Sequence, residues 1–275
     1  MPEQTQLTGR VLTRELPSAP HIRYLACPGP DLPNGPVMVA VHGIGRDPGA
    51  LISALSDRAQ QDGFSLIAPM FDELRFSDYQ RLGRSGRGER ADLALNAIIA
   101  DAKSVFGISG AMHLFGFSGG AQFAHRYVYA WPNPFKTATL VAAGWYTPMR
   151  TRRRFPNGLA QTPRLEGLEF HAKSLLSTPT HILVGEHDTL RDRSLRKTEK
   201  LDRVQGRHRV ARAEWFYRQL VRRSKKHELP CLHQLTVLPN CGHDVVDTAI
   251  RGGLARHVFD FVQRDFINTK LIACA

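Results

Sequence analysis

The chain has 275 residues, of which 42% are hydrophobic; that is enough for one large domain with a substantial core and too apolar for a disordered chain. A net charge of +12 would point to nucleic acid or an acidic surface if it were spread evenly. Instead Thr189 to His227 carries 14 Lys and Arg against four acidic residues, and Arg150 to Arg154 adds four more basic residues. The remainder is slightly acidic, so the charge belongs to local segments and not to a chain-wide nucleic-acid-binding composition.

After a polar N-terminal stretch, His21 to Ala26 reads as an early strand, and Cys27 to Pro36, rich in Pro and Gly, as a loop. Val37 to Val41 is a short, continuous, β-branched apolar run closed by His42-Gly43, the pattern of a buried parallel strand. Leu51 to Gln61 has helical spacing with a stop at Gly63, and Ser65 to Met70 is the next apolar run. Glu89 to Phe106 predicts an amphipathic helix with Leu93, Ala97, Ile98, Ala102 and Val105 on one face, ended by Gly107. Met112 to Phe117 predicts a strand, and Gly119 to Trp131 a helix that Pro132 stops. Thr137 to Ala143, His181 to Val184 and Leu235 to Leu238 are further strand candidates, and Asp247 to Phe266 predicts a closing helix.

Strands alternating with helices in this way imply βαβ crossovers, hence an α/β fold with a mostly parallel central sheet flanked by helices in a single domain over residues 1–275. Two intervals are longer than a simple connection needs: 144–180, which predicts a short lid insertion, and 189–230, a basic helical insertion. Within Leu201 to His227, Val204, Val210, Trp215 and Leu220 predict one buried stripe on a surface helix. Four cysteines (Cys27, Cys231, Cys241, Cys274) lack C-x-x-C spacing and are expected as free thiols; a strand between Cys231 and Cys241 would hold them beyond bridging distance. Met1 to Arg14 has no apolar core of signal-peptide length and no stretch approaches about 18 apolar residues, so a soluble cytoplasmic protein with no membrane partner is expected.

Gly116-Phe117-Ser118-Gly119-Gly120 fits G-x-S-x-G, and it lies where a predicted strand leads straight into a predicted helix. Glycines there permit a sharp turn that raises the serine Oγ above the sheet. An alcohol is barely ionised at neutral pH, so Ser118 needs a base, and the base needs a carboxylate to fix its tautomer. Later strand ends supply both: Gly185-Glu186-His187-Asp188 and Pro239-Asn240-Cys241-Gly242-His243. Asp188 is favoured as the acid over Glu186, nearer the strand, and Asp192, a turn farther on. Asp244 is too close to His243 in sequence to orient it and suits a helix cap. Backbone donors for an oxyanion are assigned to Ile44, with Gly43 as the alternative, and to Gly119. Trp145 and Tyr146, just beyond a strand end, are candidate substrate-binding residues.

HGIG, GFSGG, GEHD and NCGHD, in that order and on those strands, resemble the α/β-hydrolase superfamily over roughly Val37 to Phe266. GFSGGAQFAHRY and the Gly144-Trp145-Tyr146-Thr147 segment are similar to polyhydroxybutyrate-depolymerase-like, feruloyl-esterase-like and tannase-like esterases. The resemblance implies a serine hydrolase that cleaves a small to medium carboxylic ester through an acyl-enzyme, with Ser118, His243 and Asp188 as its triad. Acyl transfer or peptidase and amidase chemistry is the enzymatic alternative, since one apparatus serves all of them. No cofactor or metal is expected, because His187 beside the acid has no partner at ligand spacing. A nucleic-acid partner is not expected either: the basic segment lacks a recognition motif, and Trp215, Phe216 and Tyr217 read as packing residues. That segment is also compatible with a dimerisation surface, and so with a homo-oligomer.

Overall fold

The computed structural model describes residues 8–83, 86–132 and 135–264. An N-terminal hairpin of β1 (Leu12–Leu16) and β2 (Ala19–Cys27) leads into β3 (Val37–Val41), helix α1 (Pro48–Gln61) and β4 (Ser65–Met70). Helix α2 (Ala91–Phe106), β5 (Met112–Phe117), α3 (Gly119–Ala130) and β6 (Ala138–Val141) follow. After the short helix α4 (Ala172–Leu176) come β7 (Thr180–Gly185), the helices α5 (Glu199–Gln205) and α6 (Arg209–Lys226), β8 (His233–Leu238), and α7 (Val245–Ile250) and α8 (Leu254–Val262).

The eight strands form one sheet in the order β1-β2-β4-β3-β5-β6-β7-β8. The first two pairings are antiparallel and every other pairing is parallel, which is the predicted mostly parallel sheet. Alternation along β3 sorts the core: Val37, Val39 and Val41 pack with residues of α2, α3 and α6 on one face. Met38 and Ala40 pack with α1 and α8 on the other. A strand buried on both faces favours apolar residues throughout, and VMVAV carries no polar residue.

Three readings are corrected. β1 lies in the stretch read as polar, because an edge strand with one face in solvent shows only a partial apolar pattern, LTREL. In α2 the buried face is Ala91, Ala94, Leu95, Ile98, Ala102 and Phe106, whereas Leu93 and Val105 are exposed. The apolar residues of that segment form two overlapping helical rows, and the one that includes the larger Phe106 faces the sheet. The closing helix is two helices, broken at Gly252-Gly253, where Gly253 has φ 59° and starts the second. Its predicted end at Phe266, like Cys274, lies outside the described residues. Cys27, Cys231 and Cys241 are free thiols, with the strand β8 lying between the last two.

The buried stripe in the basic segment also differs. A break at Gly206, φ 103°, separates α5 from α6, and α6 buries Arg209, Arg212, Ala213, Phe216, Leu220 and Ser224. Two arginines therefore sit where the sequence pattern reads only apolar residues. Among the described residues no helix is long and apolar enough to cross a membrane.

Five histidines are buried in this fold: His42, His113, His125, His181 and His233. Burial disfavours their charged forms, pushing His42, His113 and His233 down to about 4, His181 to about 3, and His125 well below the ordinary 6.5. His125 illustrates the neutral form: its Nδ1–H donates to the Ala121 carbonyl and its Nε2 accepts from the Thr147 amide. Each group gains a proton on unfolding once the pH falls below about 6.5, so stability drops as the pH goes from about 6.5 to about 4, by up to about 1.4 kcal/mol per pH unit for each histidine. Urea unfolding midpoints should fall markedly between pH 7 and pH 5; equal midpoints would show that these imidazoles protonate in the folded state.

Candidate active site

The site is built at the carboxyl ends of β3, β5, β7 and β8. At the end of β5, Ser118 has φ 52° and ψ −106°, a strained combination for a residue with a side chain that costs on the order of 1–3 kcal/mol. Close backbone approach enforces it: a Cβ on Gly116 would lie 2.3 Å from the Gly120 carbonyl oxygen, and one on Gly120 would lie 1.9 Å from that of Val41. Only glycine at both positions lets α3 leave the strand so abruptly. Hydrogen bonds to the neighbouring strand β6 and to α3 hold the strained residue, with its amide donating to Val141 O (2.7 Å) and its carbonyl accepting from Gln122 N (3.1 Å).

The turns after β7 and β8 are joined to each other. Gly185 pairs with Leu238 in the parallel register, and beyond it Glu186 N donates to Leu238 O and His187 N to Cys241 O, both at 2.8 Å. Asn240 N donates to the Glu186 carboxylate (3.1 Å), and Gly242 N to that of Asp247 (3.1 Å). This lattice brings His243 beside Asp188. His243 Nδ1 is 2.7 Å from Asp188 Oδ2, and since a carboxylate only accepts, the proton is on Nδ1. Nε2 is then left with its lone pair, 3.0 Å from Ser118 Oγ, where it accepts the hydroxyl proton. Phe117 stacks on the imidazole, with ring centroids 5.5 Å apart and planes 28° from parallel.

The three acid candidates are separated by their partners. Asp188 faces His243; Glu186 serves the β8 turn; Asp192 accepts from Ser194 and Arg209. Partial burial works against the Asp192 charge, but these hydrogen bonds outweigh it and hold the carboxyl below its ordinary range. Asp244 caps α7, its side chain accepting from Asp247 N.

Sequence reasoning missed Arg209. It is 1% exposed, its Nη1 donates to Asp188 Oδ1 at 3.1 Å, and its Nη2 donates to Ser194 Oγ at 2.6 Å. Both carboxylate oxygens of the fully buried Asp188 side chain are therefore occupied, one by His243 and one by a permanent cation. Among 14 basic residues in its segment, Arg209 has no sequence mark that sets it apart.

The turn after β3 carries the candidate oxyanion donors. Ile44 N has no acceptor among the described residues, and Gly119, first in α3, is one of the amides that a helix leaves without an internal acceptor. The two residues are close together, since a Cβ on Gly119 would lie 3.2 Å from Ile44 N and 2.5 Å from Tyr79 Oη. Three side chains fix this turn. His42 donates from Nδ1 to Gly43 O (2.8 Å) and accepts at Nε2 from Phe71 N (3.1 Å). Tyr79 donates to His42 O (2.8 Å). Arg46, at φ 57°, donates to the carbonyls of Phe71, Asp72 and Phe76.

The two substrate-binding candidates part company. Tyr146 is fully buried and stacks on Phe216 at 4.1 Å, and its amide and carbonyl are held by the Gln205 side chain. It is a core residue beneath α6, which corrects its reading as pocket lining. Trp145 lines a cavity of about 470 Å³. Among the described residues no group of three or more His, Cys, Asp or Glu is placed to hold a metal ion.

No protein-family model matches the sequence, and neither does any curated protein. Solved structures do. The poly(3-hydroxybutyrate) depolymerase LpqC of Bordetella parapertussis is 26% identical and superposes with a TM-score of 0.73, covering 90% of this chain and 86% of that one. The chain has the α/β-hydrolase fold. Poly(aspartic acid) hydrolase-1 of Sphingomonas sp. KT-1 is 22% identical with a TM-score of 0.74, over 86% of this chain and 93% of that one. The fluorophosphonate-binding serine hydrolase F of Staphylococcus aureus shares the fold at 13% identity and a TM-score of 0.61, over 94% and 100% of the two chains. The solved structures that share this fold thus include a depolymerase, a poly(aspartic acid) hydrolase and a serine hydrolase.

Removing one partner from a buried ion pair leaves an uncompensated charge. Arg209→Met is therefore expected to lower the free energy of unfolding by about 3–5 kcal/mol, and the double variant Arg209→Met/Asp188→Asn to recover most of that loss. Urea denaturation of the three proteins checks this. A single variant within about 0.5 kcal/mol of wild type would mean that Arg209 carries none of the compensation.

Proposed function

We propose that the protein is a serine hydrolase that cleaves a carboxylic ester of a small to medium substrate through an acyl-enzyme. The observation that carries this reading is the continuous relay from Ser118 Oγ to His243 Nε2 (3.0 Å) and from His243 Nδ1 to Asp188 (2.7 Å), with the serine on a strained strand-to-helix turn. Ser118 Oγ attacks the carbonyl carbon while its proton passes to His243 Nε2. The imidazolium that forms is stabilised by Asp188, which stays ionised and oriented by Arg209. The carbonyl oxygen, now an oxyanion, accepts from the Ile44 and Gly119 amides; a donor of this kind typically contributes about 10²–10³ in rate.

Collapse of the tetrahedral intermediate breaks the bond to the alcohol oxygen, which takes the proton from His243 as it leaves. Water then attacks the acyl carbonyl and gives a proton to His243, and the second collapse breaks the bond to Ser118 Oγ, which takes that proton back as the acid is released. Because Nδ1 is committed to Asp188, Nε2 is the only ring nitrogen able to exchange these protons. His42 takes no part: both of its nitrogens are engaged in the turn that presents Ile44.

Hydrolysis of p-nitrophenyl esters, from acetate through long acyl chains, tests the reading. Ser118→Ala should lose about 10³-fold or more of kcat, and Asp188→Asn, which keeps the shape but not the tautomer, should lose about 10³–10⁴-fold. Equal rates in wild type and Ser118→Ala would remove Ser118 as nucleophile.

A further inference from the structure

The arginine cluster at 150–154 finds a place beside the site. Trp145, Arg150, Arg153, Arg154, Arg196 and Lys200 line the cavity of about 470 Å³, together with uncharged residues and no acidic one. None of these five cations has an ion-pair partner among the described residues, whereas their basic neighbours Arg191, Arg209 and Arg212 are each paired with aspartate. A solvated surface run would spread such charges apart; here two separate segments, 150–154 and 196–200, converge on one concavity.

Trp145 forms its floor and is itself placed by cations. The guanidinium groups of Arg126 and Arg196 lie over the indole at 4.3 Å and 4.7 Å from the ring centroid. Arg126 is fully buried, and its Nη2 has no hydrogen-bond partner among the described residues. Burial, and the charge of Arg81 beyond it, lower the pKa of Arg196, so the positive charge here is crowded and an anion would relieve it.

The cavity is near the proposed nucleophile without including it. Phe117, before Ser118, pairs with Val141, and Trp145 is four residues farther along, at most about 14 Å by chain reach. Neither Ser118 nor His243 lines the cavity. An anionic group bound there would therefore be joined to a carbonyl at Ser118 through a spacer.

We infer that this cavity is a subsite for an anionic tail of the substrate, so that the enzyme acts on esters whose acyl chain ends in a carboxylate or a phosphate. The inference rests on the ester-hydrolase reading for the reacting end and on the unpaired cations for the far end. Arginine suits it, because the planar guanidinium matches both oxyanions with paired N–H donors.

Two measurements test it. The first compares kcat/KM for p-nitrophenyl hexanoate and p-nitrophenyl hydrogen adipate, acyl chains of equal length that differ in one terminal carboxylate. Wild type should favour the adipate by about tenfold at low salt, and the ratio should fall towards one in about 0.5 M NaCl and in Arg153→Gln/Arg196→Gln. A ratio near one in wild type, or one that the double variant leaves intact, overturns the inference. The second is calorimetric titration of Ser118→Ala with adipate and, separately, with inorganic phosphate. Binding of either that is lost in the added Arg153→Gln/Arg196→Gln pair supports the subsite and identifies the anion, even if no ester is turned over, in which case it is the hydrolase reading that fails. Binding of neither overturns it.

Discussion

A carboxylate buried out of reach of water is the constraint around which this molecule is arranged. The Asp188 side chain has no exposed surface, and an ionised carboxylate in such a place costs several kcal/mol unless its charge and lone pairs are met. His243 meets one oxygen and Arg209 the other. That requirement ties together parts of the chain that otherwise look unrelated. The turn after β7 must lie against the turn after β8, and helix α6, packed on one face of the sheet, must begin at the carboxyl ends of the strands for its first residue to reach the acid. The basic segment is thereby part of the acid's support, and its charge is in part an answer to that acid.

Backbone crowding is the second constraint, and it acts on the serine. Gly116 and Gly120 allow strand and helix to approach within contact of each other's backbone, and the strain this places on Ser118 is offset by hydrogen bonds to β6 and α3. The same crowding sets the opposite wall. Ile44 N lies close to Gly119 because His42, Tyr79 and Arg46 fasten the intervening turn to the β4 side of the sheet. Preorganisation of this kind is what the proposed reaction requires of two amides that are to favour a developing oxyanion without moving.

Much of this could be read from the sequence, for identifiable reasons. Buried parallel strands are mostly apolar, so VMVAV and SLIAPM stand out, and the Ser118 and Asp188 turns follow such runs directly, while the His243 turn follows the shorter apolar run of the half-buried β8. Residues whose role depends on tertiary reach could not be read. Arg209 looks like any of its basic neighbours, and only the break at Gly206 and the packing of Phe216 and Leu220 direct it inward. Tyr146 lies at a strand end like Trp145, yet one is stacked in the core and the other lines a cavity, a difference decided by which face α6 covers. The edge strand β1 escaped because one solvated face dilutes the apolar alternation to LTREL.

The central claim is that His243 makes Ser118 Oγ nucleophilic. It is tested most directly by treating the protein with a fluorophosphonate and locating the adduct by peptide mass spectrometry. The account predicts one adduct, on Ser118, forming about 10³-fold more slowly in His243→Ala. An adduct on another residue, or labelling of Ser118 at the same rate without the imidazole, would contradict it.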